Sequence, residues 1–183
     1  MKSRIKNVGL FIATIFSMAA SAQDAQPMIG DNGPAFELRA LNGEMYSLEK
    51  FKGKYVVIHF ATTWCPFCNA EAPYLEQLYK NYRAKGVEVI IIDVMEDKAL
   101  VEKNTSRFKL SFPVLLDTDG KVSSSYAPEG VQPAIERYEV PIASNLIIDR
   151  EGKIRFYSLL NTTAFDEKLT KLQQKLDELI ASN

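Results

Sequence analysis

"YVVIHFATTWCPFCNAEAP", residues 55–73, decides how this chain folds. Residues 55–61 form an apolar run broken only by His59, which suits a strand buried on both faces. The run stops at Thr62 and Thr63, and a helix pattern begins. Cys65 stands at the expected N-cap. Pro66 follows as first helical residue, where its missing N–H costs nothing. Leu75, Leu78, Tyr79 and Tyr82 then recur at spacings of three and four, giving one apolar face that ends at Gly86. A buried strand therefore turns into a helix, and both cysteines of the chain, Cys65 and Cys68, lie at that turn.

The same pattern extends outward. "VEVIIIDV" (87–94) is a second buried strand, and "DKALVEKNTSRFK" (97–109) reads as a second helix. "FPVLLDTDG" (112–120) is a short strand and turn, whereas 121–140 reads as irregular. "SNLIIDREGKIRFYSL" (144–159) is a hairpin turning at Asp149 to Gly152. Upstream, the stretch around Asn42-Gly43 carries a strong hairpin signal. At the far end Phe165, Leu169, Leu172, Leu176 and Leu179 form a helical core stripe, with Thr162 or Thr163 as its cap. Strands alternating with helices predict an α/β domain with helices on both faces of a central sheet. Open α/β sheets place their chemistry at the strand ends, where the cysteines fall.

At a helix N-cap, unpaired N–H groups and the positive end of the helix dipole favour an anion. The N–H groups of Phe67 and Cys68 are expected to point back at the Cys65 sulfur. Its pKa is therefore expected at roughly 6–8. Cys65 is then the attacking sulfur, and Cys68, one turn in and more buried, resolves the mixed disulfide. A permanent staple is the weaker reading, because a four-residue loop contributes little entropy. A structural metal site wants four Cys or His ligands, against two cysteines and one histidine here. A copper(I) site of Cys65, Cys68 and His59 stays open as a carrier reading. Neither a cofactor nor a structural metal is called for.

Two polar residues flank the pair. Glu71, three positions after Cys68 on the helix, is its neighbour. As a carboxylate it can accept the Cys68 proton and raise a nearby thiol's pKa. Pro73 close behind suggests a helix kink. His59, on the buried strand, is either a proton relay to Cys68 or a core histidine with a satisfied hydrogen bond.

The first 22 residues stand apart. Lys2, Arg4 and Lys6 precede an apolar run of 13 residues from Val8 to Ala20, and Ala20-Ser21-Ala22 fits a small-x-small cleavage site. A membrane span needs about 20 apolar residues, so residues 1–22 read as a signal peptide, with no stable membrane insertion after cleavage. Residues 23–34 read as a flexible leader and 35–183 as one domain. With the three leading cations gone, 19 basic residues face 23 acidic ones. That balance argues against nucleic acid as a partner. Export favours oxidised thiols.

"PAFELRALNGEMYSLEKFKGK" (34–54), the strand-WCPFC-NAEAP unit and the later "LIIDREGKI" together resemble the TlpA/ResA-like type of thioredoxin-fold protein, within the wider redoxin group. The resemblance covers roughly residues 33 to 180. It implies a thioredoxin-like fold: a central mixed β-sheet flanked by helices, with an N-terminal β-hairpin extension. It also implies an exported, usually periplasmic, thiol-disulfide oxidoreductase. Such proteins reduce disulfide-bearing partner proteins and are recharged by a membrane thiol electron donor. Cys65 matches the nucleophile, Cys68 the resolving thiol, Trp64 the flanking tryptophan, and Glu71 a glutamate that tunes the pair in some members. Trp64, Phe67 and Ile142 are expected to form an apolar docking rim, and Pro66 and Ala143 are expected to join them in binding the substrate. His59 departs from the Asp or Asn common in relatives. Ala143 stands where relatives usually carry a cis-proline, and Pro141 lies two residues early; a trans Ile142–Ala143 bond is the default. Residues 127–137 exceed the usual pattern. A thiol peroxidase is the other alternative, since Thr62 precedes Cys65 by three. That pattern also wants a proline where Ile58 stands.

Overall fold

The computed structural model of the protein describes residues 29–127 and 142–182. The expected signal peptide, Pro141 and nearly all of the 127–137 insertion lie outside the described residues. Seven strands form one sheet: β1 (Glu37–Ala40), β2 (Met45–Ser47), β3 (Tyr55–Ala61), β4 (Val87–Val94), β5 (Val114–Asp117), β6 (Ser144–Ile148) and β7 (Ile154–Ser158). Among the described residues four α-helices accompany them: α1 (Pro66–Tyr82), α2 (Lys98–Thr105), α3 (Lys121–Ser125) and α4 (Thr170–Ala181). The strand order is β2-β1-β5-β4-β3-β6-β7. β3, β4 and β5 run parallel at the centre, and the pairs on either side are antiparallel. This is the expected mixed sheet with its hairpin extension, β1–β2, turning at Gly43 with φ +88°.

Every residue of β3 is buried. Val57 and Ala61 pack beneath α1 and α4 with Leu75, Leu78, Leu172 and Leu176. Val56, Ile58 and Phe60 face a second cluster with Phe36, Phe51 and Tyr126. The period-two alternation of a strand thus splits β3 between two cores. His59 falls on the same face as Val57 and Ala61, toward α1, and the β3–β6 register sets it directly opposite Asn145.

Three expectations need correction. Residues 121–125, read as irregular, form α3, because buried Asp117 accepts hydrogen bonds from the Val122 and Ser123 amides and the Ser123 hydroxyl. The last helix is not capped at Thr162 or Thr163. Thr163 is tied to Asn161, and α4 begins only at Thr170, with the Asp166 carboxylate taking the Lys171 amide at 2.8 Å. Phe165 and Leu169 therefore precede the helix, although Leu169 still packs in the core. Near the start of the described residues, Gly30, Asp31 and Gly33 bond the backbone at Gly152 and Ile154, so residues 30–33 of the expected leader lie against the β6–β7 turn.

Candidate active site

Thr62 to Cys65 link the end of β3 to the start of α1. Four polar contacts pin this turn. The Glu96 carboxylate accepts from the amide and the hydroxyl of Thr63, and the Thr63 carbonyl accepts from the side-chain amides of Asn69 at 3.0 Å and Asn104 at 3.3 Å. Cys65 is the N-cap of α1, with φ −77° and ψ 113°, and Pro66 occupies the first helical turn. The Cys68 amide donates to the Cys65 sulfur at 3.2 Å. α1 runs on through Pro73.

These donors act on the two thiols in opposite directions. The Cys68 thiol, hydrogen-bonding to Cys65, does most to lower the Cys65 pKa. Burial works against it, and the backbone N–H groups of Cys68 and Phe67 add to the lowering, leaving Cys65 at about 7. Cys68 goes the other way. Burial pushes it far above the ordinary thiol range, and the adjacent Cys65 sulfur pushes it further. A ready thiolate beside a thiol that holds its proton is the division of labour that disulfide exchange requires.

Behind the thiols lies a buried polar cluster. Glu71 is 3 % exposed, yet the nearest polar partners are neutral. The Asn145 side-chain NH2 meets its two oxygens at 3.3 and 3.1 Å, and the His59 Nδ1 lies 3.3 Å from Oε2. Burial raises the Glu71 pKa to about 8, against the lowering by Asn145; the negative charges of Cys65 and Asp166 add to the rise. His59 Nδ1 is also 3.0 Å from the Asn145 Oδ1. Burial holds the imidazole neutral, with a pKa of about 4, opposed by hydrogen bonds to Asn145 and the Ser144 backbone. The one hydrogen bond of Nδ1 runs to Asn145 and the buried Nε2 has no hydrogen-bond partner, so His59 does not reach Cys68 directly as a relay. The Cys68 sulfur lies 3.9 Å from the Phe60 carbonyl instead.

The remaining expected site residues divide. Trp64 and Pro66 are exposed beside Cys65. Phe67 is half-buried and stacks edge-to-face on Phe165, with ring centroids 4.9 Å apart. Ile142 is half-buried against both cores. Ala143 packs in the cluster that holds both cysteines. It is left-handed at φ +57°, its N–H donates to the Phe60 carbonyl at 2.8 Å, and no cis peptide bond occurs among the described residues. Sequence reasoning missed Asn145 and Asp93. Asp93 sits beside Ala61 in the β3–β4 register, and burial with the neighbouring Glu96 raises its pKa to about 8.

The fold and this site define a class: thioredoxin-like thiol-disulfide oxidoreductases with a Cys-x-x-Cys pair at a helix N-cap. Residues 29–157 match the AhpC/TSA family, and the chain belongs to it. It is 36 % identical over 126 residues to the thiol-disulfide oxidoreductase ResA of Bacillus thuringiensis subsp. konkukian, a match that covers 69 % of this chain and 66 % of that protein. A putative protein disulfide isomerase from Bacteroides thetaiotaomicron superposes with a TM-score of 0.70 at 26 % identity, covering 84 % of this chain and 90 % of that one. A secreted disulfide oxidoreductase of Mycobacterium tuberculosis superposes with a TM-score of 0.62 at 25 % identity, covering 78 % and 95 %. No helix among the described residues is long and apolar enough to cross a membrane.

Proposed function

We propose that the protein is exported and reduces disulfides of partner proteins, then regains its electrons from a membrane thiol donor. The observation that carries this reading is the Cys65 sulfur at the α1 N-cap, accepting the Cys68 amide at 3.2 Å. The Cys65 thiolate attacks a partner disulfide; one Cys65–partner S–S bond forms, the partner's own breaks, and one partner sulfur leaves as thiolate. Cys68 must then lose its proton. Glu71, one helical turn away and close enough for its charge to act on Cys68, is the acceptor. The Cys68 thiolate attacks the Cys65 sulfur, the intramolecular disulfide forms, and the second partner sulfur departs. Two electrons have passed to the partner. Trp64 and Pro66 form the exposed docking rim, with Phe67, Ile142 and Ala143 behind it.

Export rests on the signal-like residues 1–22 and on likeness to a protein described as secreted. The copper(I) alternative has less support, since among the described residues no group of three His, Cys, Asp or Glu side chains is placed to hold a metal ion. Equilibration of the Cys65–Cys68 couple with glutathione tests the direction of flow. A potential below about −220 mV supports a reductant, and one near −120 mV an oxidant.

A further inference from the structure

The proposed role of Glu71 leaves a question. A carboxyl group 3 % exposed beside two sulfurs must give up and retake a proton at neutral pH. Burial alone drives it toward permanent protonation. A hydrogen-bond donor aimed at its oxygens counters that, and Asn145 from β6 provides it, while His59 Nδ1 from β3 lies 3.3 Å from Oε2. Strand register sets these two residues directly opposite each other, so their side chains share the face that α1 covers.

The donor logic fixes the chain. Asn145 gives its NH2 to both oxygens of Glu71. Its Oδ1 must then accept, and the atom facing it at 3.0 Å is His59 Nδ1. That nitrogen must carry a proton, which makes His59 the neutral Nδ1–H tautomer. The same N–H also leans toward Glu71 Oε2 at 3.3 Å. His59 therefore orients the Asn145 amide with its NH2 toward the carboxylate.

We propose that His59 and Asn145 are positioning residues that together keep Glu71 usable as a proton acceptor. His59 is not an acid or base in this role and stays neutral throughout. The proton Glu71 receives leaves by a second face. A cavity of about 90 Å³ opens on Glu71 and Asn145 and is bordered by Asn161, Phe165, Asp166 and Lys171, with room for water. The ionisable groups facing Glu71 are Cys65 and Cys68 from the active-site turn and α1, His59 from β3, and Asp166 and Lys171 from the approach to α4 and its first turn.

The inference rests on the proposed role of Glu71, but its test is independent of thiol reactivity. The carboxyl carbon of Glu71 is followed by ¹³C NMR across pH in the reduced full chain and in His59→Leu, His59→Asn and Asn145→Leu. Asn places an N–H close to where His Nδ1 lies, so it restores the donor; Leu does not. His59→Leu and Asn145→Leu are expected to raise the midpoint pH of Glu71, so that half-protonation falls at a proton concentration at least threefold lower. His59→Asn is expected to return it close to wild type. The pH profile for oxidation of the reduced protein by oxidised glutathione should move with that midpoint. An unchanged midpoint in His59→Leu, or equal midpoints in the Leu and Asn variants, overturns the inference. The wild type provides a test that needs no variant: ¹⁵N shifts of His59 must report the Nδ1–H tautomer. An Nε2–H imidazole sinks the proposal even if every variant unfolds. If Cys65 proves unreactive while the Glu71 midpoint moves as stated, it is the proposed function that fails.

Discussion

Replacing Asp93 with Asn tests the turn that holds Cys65. Asp93 is 3 % exposed at the end of β4, and burial first, then the Glu96 charge, raise its pKa to about 8. Glu96 in turn holds the Thr63 amide and hydroxyl just ahead of Trp64 and Cys65. In the native state Asp93 keeps its proton and can donate it to Glu96, whereas in the unfolded chain it ionises near pH 4. The native state thus binds one more proton than the unfolded state between about pH 4 and pH 8. Stability must fall as pH rises through that window, by about 1.4 kcal/mol per unit. In Asp93→Asn an uncharged amide offers the same hydrogen bond at every pH, so this loss is absent. From pH 5 to pH 7 the variant should gain about 2.5 kcal/mol on wild type. Urea unfolding of both proteins at half-unit steps measures the gap directly. A gap that stays constant within about 0.5 kcal/mol from pH 5 to pH 7 refutes the reasoning.

Cys68→Ala should accumulate mixed disulfides with partner proteins, because Cys65 still attacks and nothing releases the adduct; non-reducing gels with mass spectrometry read this, and trapping by Cys65→Ala instead would reverse the roles. Ala143→Pro should cost about 2–4 kcal/mol, since proline cannot take φ +57° and loses the N–H bond to Phe60. A stabilised Ala143→Pro in thermal unfolding would show that the loop takes another course. Leu75→Ala, on the buried face of α1, should lose about 2–5 kcal/mol in urea unfolding with the m-value unchanged. A loss below about 1 kcal/mol would mean that α1 is not seated on β3 as described.

Much of this was legible in the sequence, for physical reasons. The runs at 55–61 and 87–94 are apolar on both faces because parallel central strands are covered on both sides, and they form β3 and β4 as expected. The Cys65 N-cap followed from a proline one residue on and an apolar stripe behind it. Contacts made by pairing across the sheet were not legible. Asn145 is 74 residues from Glu71, and only the β3–β6 register brings it to that carboxylate. The same register turned His59 away from the Cys68 relay reading and toward Asn145. Asp93 was missed, because burial by β3 on one side and β5 on the other is a tertiary fact. The start of α4 was misplaced because Phe165 and Leu169 fit the helical spacing while lying in the segment before it, where Phe67 and the core claim them.

The most direct test is the pH dependence of alkylation by iodoacetamide in the reduced protein, with each cysteine resolved by mass spectrometry. Cys65 should be modified with a midpoint near pH 7 while Cys68 remains unmodified at that pH. A Cys65 midpoint near 9, or Cys68 reacting first, would contradict the account.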